Sequence, residues 1–402
     1  MAGDLIDSLC MENDSKIIFL ILDGLGGMQV DNAGESELGT AKTPNMDKLV
    51  AENTCGLMIP VEHGITPGSG PGHFGLFGYD PVEANIGRGV LSASGLEFKL
   101  TERDVAARVN LATLDSSGNV SDRRAGRIAT DENKRICQKL RENVRLSDGV
   151  EFFLDTEKEH RALLVVRGDG LGGTINDTDP QLLGVPPLKP EGADAASQKT
   201  TRYLMEFLDQ AKKILADEPQ GNMLLLRGIA KHRRYSTLYE RFKLNAYAIA
   251  NYPMYRGISR LVGMDIAPVS QNLSTQIDEL ENSWDKYSFF FMHIKETDAC
   301  GEDGNFEGKV AAIEETDALL PRITKMNPDA LIITGDHSTP AAMRAHSWHP
   351  IPVALASKLA RRDPVKEFSE NACLGGGLGM FESKNLMNLA LAHAGKLAKF
   401  GA

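Results

Sequence analysis

The chain has 402 residues and a formal net charge of −11, and 42% of its residues are hydrophobic. This length favours two or three domains, and this apolar content is enough to build folded cores. The acidic balance argues against nucleic acid as the main ligand, because binding to phosphate backbones needs an excess of lysine and arginine.

No apolar run approaches the roughly 18 to 20 residues that cross a bilayer, so no membrane partner is expected. The N-terminal residues lack the basic start and the apolar core of a secretory signal. The five cysteines are an odd number and form no CxxC pair, which is typical of reduced thiols. We therefore expect a cytoplasmic protein.

Short buried strands alternate with helices in the N-terminal part, a pattern typical of α/β proteins with a mostly parallel sheet and helices on both faces. Residues 16–23 (KIIFLILD) form the first predicted strand, which is continuously apolar and ends at Asp23. Thr43 is expected to cap a helix with Pro44 at its first position. A second strand is predicted at residues 56–60.

The middle of the chain has a different pattern. Strands are predicted at residues 105–115 and 161–167, with a turn and a basic run between them. A segment rich in proline and glycine follows at residues 184–192. We therefore predict a smaller α+β domain inserted at residues 101–230. The flanking parts, residues 1–100 and 231–402, would close one sheet.

The C-terminal part returns to the pattern of the N-terminal part. Its predicted strands lie at residues 246–250, 287–293, 330–334 and 353–356. A helix is predicted between two of them, because apolar residues recur at helical spacing at Phe306, Val310, Ile313 and Leu320.

Acids and histidines follow several of these strands. Ligands gather at the carboxyl ends of parallel strands, so these residues are candidate ligands for a metal: Asp23, Asp298, Asp336, His337, His346 and His349. Any one of them could instead cap a helix or form a turn. Together they predict a cage of oxygen and imidazole donors, which suits Mn²⁺, Mg²⁺ or Zn²⁺.

Ser69 is the candidate nucleophile. It lies in a glycine-rich segment at residues 66–81, and a helix is expected to start just after it, with an N-terminus that favours phosphate. The same residues also fit a flexible loop. A serine needs a base or a metal to react, and the chain has no GxSxG elbow, so activation by metal in a two-ion phosphoryl transfer is the available route.

Arginines supply candidate groups for binding the substrate. A guanidinium binds phosphate or carboxylate by paired hydrogen bonds, and the candidates are Arg123, Arg124, Arg127, Arg227 and Arg256. Each of them fits a solvated basic patch equally well.

Several motifs, spread along almost the whole chain, resemble those of one protein family. They are LILDGLGG ending at Gly27, TPNMD from Thr43, PGSGPGH from Pro67, GYDP from Gly78, GRG from Gly87, DRRAGR from Asp122, DTDP from Asp177, TGDHSTP from Thr334 and HSWHPIP from His346. The combination resembles the archaeal-type cofactor-independent phosphoglycerate mutases of the alkaline phosphatase superfamily.

The resemblance implies interconversion of 3-phosphoglycerate and 2-phosphoglycerate through a phosphoserine. It also implies two divalent ions, with Mn²⁺ preferred over Mg²⁺ or Zn²⁺, and no need for 2,3-bisphosphoglycerate. Carried over by position, Ser69 is the nucleophile, and His73 is a packing or orienting group. One metal site would consist of Asp23, Ser69, Asp336 and His337, and the second would include Asp298 and His346. The insertion would be a lid that holds the substrate through its arginines.

The chain departs from the family pattern at Glu302. In the segment GEDGN the family usually has GHDGN, so a carboxylate replaces an imidazole ligand. His349 stands where the family often has an acid, and Arg256 stands where lysine is expected. We hypothesise that Glu302, alone or with His349, completes the second metal site.

The residues leave other functions open. Fold and metal cage do not choose the substrate, so a related metal-dependent phosphotransferase or phosphomonoesterase on another small phosphate ester is an alternative. A member that binds phosphorylated ligand without turnover, because Glu302 has impaired a metal site, is another. Asp122 and Asp177 are candidates for the acid or base that serves the substrate hydroxyls, although each also fits a structural cap or an ion-pair partner.

Overall fold

The computed structural model describes residues 2–29, 34–84 and 86–401. The chain divides into two compact units, here called the core unit (Met1–Asn85 and Ser236–Ala402) and the inserted unit (Ile86–Tyr235). Among the described residues, no helix combines the length and the apolar character needed to span a membrane.

The N-terminal segment of the core unit begins the main sheet. Its elements are α1 (Ala2–Leu9), β1 (Ile17–Leu22), α2 (Glu37–Thr40), α3 (Pro44–Glu52), β2 (Thr54–Ile59) and α4 (Ser69–Leu76). All six residues of β1 are buried, as its continuous apolar sequence predicts. Helix α3 starts at Pro44, but the Thr43 side chain makes no capping hydrogen bond, which corrects the prediction. Its Oγ1 donates instead to Asp47 Oδ1 at 3.3 Å.

The inserted unit has an α+β architecture. Its elements are α5 (Arg88–Gly95), β3 (Asp104–Leu114), β4 (Val120–Asp122), a 3₁₀ turn (Ala125–Arg127), α6 (Thr130–Asn143), β5 (Glu151–Lys158), β6 (Arg161–Arg167), α7 (Ala195–Ile214) and β7 (Met223–Lys231). The strands form one antiparallel sheet with β3 paired to β4, β6 and β7. Helices α6 and α7 cover one face of it.

The inserted unit starts earlier than the predicted residue 101. Helix α5 packs against β3 and β7, so its contacts place it with the insertion. The close approach depends on Gly89, where an added Cβ would lie 2.2 Å from Ala106 O. A sequence pattern does not show which of two neighbouring units a short helix packs against.

The C-terminal segment completes the core unit. Its elements are α8 (Leu238–Phe242), β8 (Ala246–Ile249), α9 (Pro253–Leu261), β9 (Asp265–Ile266), α10 (Leu273–Ser283), β10 (Phe289–Ile294), α11 (Glu296–Asp303), α12 (Phe306–Lys325), β11 (Ala330–Thr334), β12 (Ile351–Ala356), α13 (Glu370–Cys373), β13 (Gly379–Glu382), a 3₁₀ turn (Ser383–Asn385) and α14 (Leu386–His393).

The core sheet has eight strands in the order β13-β2-β12-β11-β1-β10-β8-β9. All neighbours are parallel except β12, which runs antiparallel to β11 and β2. Helices α3, α10 and α12 pack on one face, where alternate residues of β1 such as Leu20 lie. On the other face, Phe77, which directly follows α4, packs edge-on against Phe291 of β10. The predicted mostly parallel α/β sheet with helices on both faces is therefore confirmed.

Candidate active site in the core unit

The central strands bring the candidate ligands to one edge of the core sheet. Strands β10 and β11 flank β1 in parallel, with Leu22 beside Ile294 and Ile21 beside Thr334. The residues that follow these strands therefore emerge together, as the carboxyl-end rule predicts. Asp23, Asp336 and His337 are completely buried there.

These three side chains and Ser69 form the first cluster. Ligand atoms of Asp23, Asp336 and His337 all lie within 4.8 Å of one another. Ser69 is the first residue of α4, and its Oγ lies 3.3 Å from His337 Nε2. Helix α4 reaches this position because residue 72 is glycine, where an added Cβ would lie 2.5 Å from Asp336 O.

The carboxylates of this cluster are buried and poorly satisfied. Neither oxygen of Asp23, nor Oδ2 of Asp336, receives a hydrogen bond of good geometry from the described part of the chain, although Lys295 Nζ lies 3.1 Å from Asp23 Oδ2. Burial alone would lower the pKa of His337, but the neighbouring carboxylates of Asp336 and Asp23 raise it to about 9. Buried charges of this kind are expensive unless they are paired or bind a metal. The site therefore fits a divalent cation held by oxygen and imidazole donors.

A second cluster adjoins the first. Ligand atoms of Asp298, His337 and His346 also lie within 4.8 Å of one another. The rings of His337 and His346 stack with their centroids 3.6 Å apart, and His346 Nε2 lies 3.6 Å from Asp298 Oδ1. Asp298 comes from α11, and its Oδ1 accepts a hydrogen bond of 2.7 Å from Thr339 Oγ1.

Glu302 lies at the rim of this second cluster. Its Oε1 is 3.7 Å from His346 Nε2, and its side chain is 56% exposed. His349 makes different contacts. Its Nδ1 is 2.9 Å from Ser347 Oγ, and its ring stacks on Trp348. Within the described residues, His349 belongs to neither three-membered group.

Residues that the sequence did not indicate complete the surroundings of Ser69. Tyr255 is completely buried, and its hydroxyl donates to Ser69 Oγ at 3.4 Å. Lys295 Nζ lies 3.3 Å from that hydroxyl, 3.1 Å from Asp23 Oδ2, and in contact with Asp298. A search for acids and histidines after strands overlooks a lysine at the end of β10, and no sequence signal identified Tyr255.

His73 links the nucleophile segment to the acids. Its Nδ1 lies 2.8 Å from Ser69 O and 3.1 Å from Asp336 Oδ2, and its ring packs edge-on against Phe291. A buried imidazole with these contacts fixes the start of α4 relative to Asp336.

The candidate arginines of the inserted unit have different surroundings. Arg123 forms a bidentate pair with buried Asp179, with both nitrogen–oxygen distances 2.8 Å. Arg124 and Arg127 are exposed. Arg227 lies within β7 rather than after the strand, and its Nε is 3.6 Å from Asp179 Oδ2.

The remaining sequence candidates hold backbone groups. Arg256, in the core unit, donates through Nη1 to the carbonyls of Ala250 (3.0 Å) and Ala267 (2.6 Å). Asp122 accepts from the backbone amides of Arg124 and Gly126, both at 2.7 Å. Asp177 Oδ1 accepts from the amide of Gly228 at 2.6 Å. These contacts give each residue a structural role, and the predicted roles in substrate binding and acid–base chemistry stay predictions.

Comparisons with known proteins identify relatives of this chain. Residues 51–221 match the family model described as 2,3-bisphosphoglycerate-independent phosphoglycerate mutase. A probable mutase of this kind from Thermus thermophilus is 48% identical over 400 residues, which is 99% of this chain and 98% of the relative. One from Thermotoga maritima is 46% identical over 399 residues, 99% of each chain.

Two solved structures have similar folds. A Pyrococcus horikoshii protein matches with a TM-score of 0.82 and 27% identity, covering 96% of this chain and 99% of its own. The cofactor-independent phosphoglycerate mutase from Thermoplasma acidophilum matches with a TM-score of 0.71 and 27% identity, covering 94% of this chain and 100% of its own.

Proposed function

The chain belongs to the 2,3-bisphosphoglycerate-independent phosphoglycerate mutases, and from this premise we propose that it interconverts 3-phosphoglycerate and 2-phosphoglycerate through a phosphoserine at Ser69. The observation that carries the proposal is the position of Ser69 Oγ, 3.3 Å from His337 Nε2 in the cluster that contains the buried carboxylates of Asp23 and Asp336. A hydroxyl among such groups is suited to act as the nucleophile of phosphoryl transfer.

Two divalent cations fit the donor sets of the core unit. Asp23, Asp336 and His337 would hold one of them, with Ser69 beside it. Asp298 and His346 would hold the other, with Glu302 as a further carboxylate donor. Mixed oxygen and imidazole donors favour Mn²⁺, with Mg²⁺ and Zn²⁺ as alternatives. Bound cations would polarise the phosphoryl oxygens and make a nearby hydroxyl a better nucleophile.

The protein groups around Ser69 position it for the transfer. Ser69 begins helix α4, and the amides at a helix N-terminus attract an anion such as a phosphoryl group. The hydroxyl of Tyr255 donates to Ser69 Oγ and orients it, while Lys295 adds positive charge. Ser69 Oγ attacks phosphorus as the bond to the O3 oxygen of glycerate breaks. The phosphoryl group then returns from Ser69 to the O2 oxygen.

Glycerate must stay bound between the two transfers. Otherwise water hydrolyses the phosphoserine and the enzyme acts as a phosphatase. We propose that arginines of the inserted unit, Arg123, Arg124, Arg127 and Arg227, hold the anionic groups of the substrate in the manner of a lid. Arg123 would do so while its guanidinium is fixed by Asp179.

The test is a turnover assay with a trapped intermediate. Purified protein is incubated with Mn²⁺ and 3-phosphoglycerate, and 2-phosphoglycerate, inorganic phosphate and phosphopeptides are measured. We expect 2-phosphoglycerate and a phosphorylated peptide containing Ser69, both absent in Ser69→Ala. Release of inorganic phosphate without 2-phosphoglycerate would reject the mutase in favour of a phosphomonoesterase.

The role of Glu302 needs its own measurement. Because Glu302 is half exposed and lies 3.7 Å from His346 Nε2, we expect Glu302→Ala to weaken binding of the second cation about tenfold. Glu302→His, which supplies a nitrogen donor, should restore the affinity. Equilibrium dialysis against Mn²⁺ decides the matter, and two tightly bound ions per chain in Glu302→Ala would exclude a ligand role.

A further inference from the structure

Thr339 lies between the two clusters of candidate metal ligands in the core unit. It is completely buried on the loop after His337. Its Oγ1 is 2.7 Å from Asp298 Oδ1 and 2.9 Å from His337 Nδ1. One hydroxyl group therefore contacts a candidate ligand of each cluster.

The positions of the hydrogens follow from what each group can donate. An ionised carboxylate only accepts hydrogen bonds, and the other oxygen of Asp298 contacts Lys295 Nζ. The single hydroxyl hydrogen of Thr339 is therefore donated to Asp298. Oγ1 then has only lone pairs left for its 2.9 Å contact with the imidazole, so His337 Nδ1 carries the hydrogen of that bond.

This assignment determines which nitrogen of His337 can bind a cation. A ring that carries its hydrogen on Nδ1 binds a metal through Nε2. That atom lies 3.2 Å from Asp23 Oδ1, 3.3 Å from Asp336 Oδ2 and 3.3 Å from Ser69 Oγ. The free nitrogen therefore faces the first cluster.

His346 reaches the same state without a side-chain partner. Its Nδ1 is 3.0 Å from the carbonyl oxygen of Pro67, which can only accept a hydrogen bond. Nε2 is therefore its free nitrogen, and this atom lies 3.6 Å from Asp298 Oδ1. Of these two imidazoles, His337 is the one whose hydrogen is placed by a side chain, so a substitution can remove its partner.

Two glycines give Thr339 the room to make these contacts. Gly24 has a φ of +64°, and an added Cβ there would lie 2.5 Å from Thr339 Oγ1. On α11, an added Cβ at Gly301 would lie 2.2 Å from Thr339 O. The amide of Thr339 donates to Gly26 O at 3.0 Å. The backbone of Thr339 is thus fixed independently of the ligands that its hydroxyl contacts.

We propose that Thr339 is a positioning residue for both cation sites of the core unit. Its hydroxyl hydrogen orients Asp298, and its hydroxyl oxygen keeps the hydrogen of His337 on Nδ1, which leaves Nε2 free to bind a cation. Groups that orient a metal ligand in this way change metal affinity about 10- to 100-fold. The proposal rests on the proposed function for the two cation sites, and it adds that one side chain supports both.

Thr339→Val tests the proposal, since valine has a similar shape without the hydroxyl. We expect equilibrium dialysis against Mn²⁺ to show affinity lower by about 10- to 100-fold at both sites. Thr339→Ser keeps the hydroxyl and should restore most of the affinity. Unchanged affinity in Thr339→Val, or weakening of one site alone, would overturn the proposal.

Thr316→Val is the matched control. Thr316 is 2% exposed on α12, and its Oγ1 donates to the carbonyl of Ala312 at 2.9 Å. This variant also removes a buried hydroxyl, but one that is bonded to the helix backbone, so Mn²⁺ affinity should equal that of wild type. An equal loss of affinity in Thr316→Val and Thr339→Val would refute the positioning role, because the loss would then follow from removing any buried hydroxyl.

The hydrogen on His337 can be located without a variant at position 339. In wild type labelled with ¹⁵N-histidine and loaded with diamagnetic Zn²⁺, we expect NMR to show the His337 ring with hydrogen on Nδ1 and none on Nε2. His337→Asn identifies the signals of this ring by their loss. A hydrogen on Nε2 instead would overturn the proposal, even if Thr339→Val fails to fold.

Metal binding separates this proposal from the mutase function. If wild type binds two Mn²⁺ ions and Thr339→Val loses affinity for both, the positioning role stands even if wild type makes no 2-phosphoglycerate. If wild type is an active mutase and Thr339→Val binds both ions as tightly as wild type, the positioning role is refuted while the function stands.

Discussion

Replacing Lys309 with methionine is expected to destabilise the loops that carry the first cluster, although Lys309 is not one of the candidate metal ligands. Lys309 of α12 is completely buried, and its Nζ donates to Gly26 O at 3.0 Å and to Thr339 O at 2.9 Å. Gly26 lies on the loop after Asp23, and Thr339 lies on the loop after His337. The ammonium group therefore ties together the two loops that carry the first cluster.

The expected loss of stability follows from these contacts. Nζ also lies 4.0 Å from Oε1 of Glu37, which is itself completely buried. Methionine fills similar space but leaves two carbonyls unsatisfied and the Glu37 carboxylate without its cation. Removing one partner of a buried ion pair costs about 3–5 kcal/mol. Hydrogen bonds to charged groups contribute about 1.5–3 kcal/mol each, but the effects overlap. We therefore expect the free energy of unfolding to fall by about 3–5 kcal/mol.

Urea denaturation followed by circular dichroism, with and without Mn²⁺, measures this loss. Lys325→Met is the control, because Lys325 is exposed at the end of the same helix. In Lys309→Met we also expect Mn²⁺ affinity to fall about tenfold or more, since the loops that position Asp23 and His337 are no longer joined.

A double-mutant cycle identifies the partner of Lys309. If Lys309 and Glu37 stabilise each other, Lys309→Met with Glu37→Gln should destabilise less than the sum of the single changes. Glu37 has other contacts, including the amide of Ala341 at 2.6 Å, so Glu37→Gln alone should also destabilise. A free energy of unfolding within about 0.5 kcal/mol of wild type in Lys309→Met would refute the reasoning.

Two further predictions concern single contacts. Tyr255→Phe removes the donor to Ser69 Oγ, so we expect kcat to fall about tenfold with little change in KM or metal content; an unchanged kcat would remove Tyr255 from the positioning of Ser69. Arg123→Met removes the bidentate partner of buried Asp179 and leaves it only the more distant Arg227, so the free energy of unfolding should fall by about 1.5–3 kcal/mol at neutral pH. Burial alone would raise the pKa of Asp179, but Arg123 holds it below its usual value. The pair's contribution is therefore present above the unfolded pKa of about 3.9 and is lost as pH falls through the lower folded value, so the variant and wild type should converge in acid. A difference that is independent of pH would contradict this assignment.

The sequence predicted those parts of the fold that depend on local pattern. The strands around Phe19, Phe291 and Ile332 are continuous apolar runs because both faces of the sheet are covered. The reversed direction of β12 has no such signal, because a buried strand has the same pattern in either direction. The early start of the inserted unit depends on glycine contacts between α5 and β7, which only the folded chain reveals.

The sequence predicted those site residues that directly follow a strand. Asp23, Asp336 and His337 were found in this way. Tyr255 lies on a helix, and its contact with Ser69 spans 186 positions of sequence. No local sequence pattern therefore indicates this contact.

Each unit holds an imbalance of charge that the protein alone does not resolve. In the core unit, Lys295 is shared between the carboxylates of Asp23 and Asp298, and the oxygens of Asp23 still lack hydrogen-bond donors from the described residues. In the inserted unit, Arg108 and Arg227 face each other. A ligand that binds only the folded state stabilises it in proportion to the logarithm of its concentration above the Kd. Mn²⁺ and 3-phosphoglycerate should therefore each raise the unfolding temperature, the former through the carboxylates and the latter through the arginines. The stabilisation by 3-phosphoglycerate should shrink in Arg227→Met, while the stabilisation by Mn²⁺ should not.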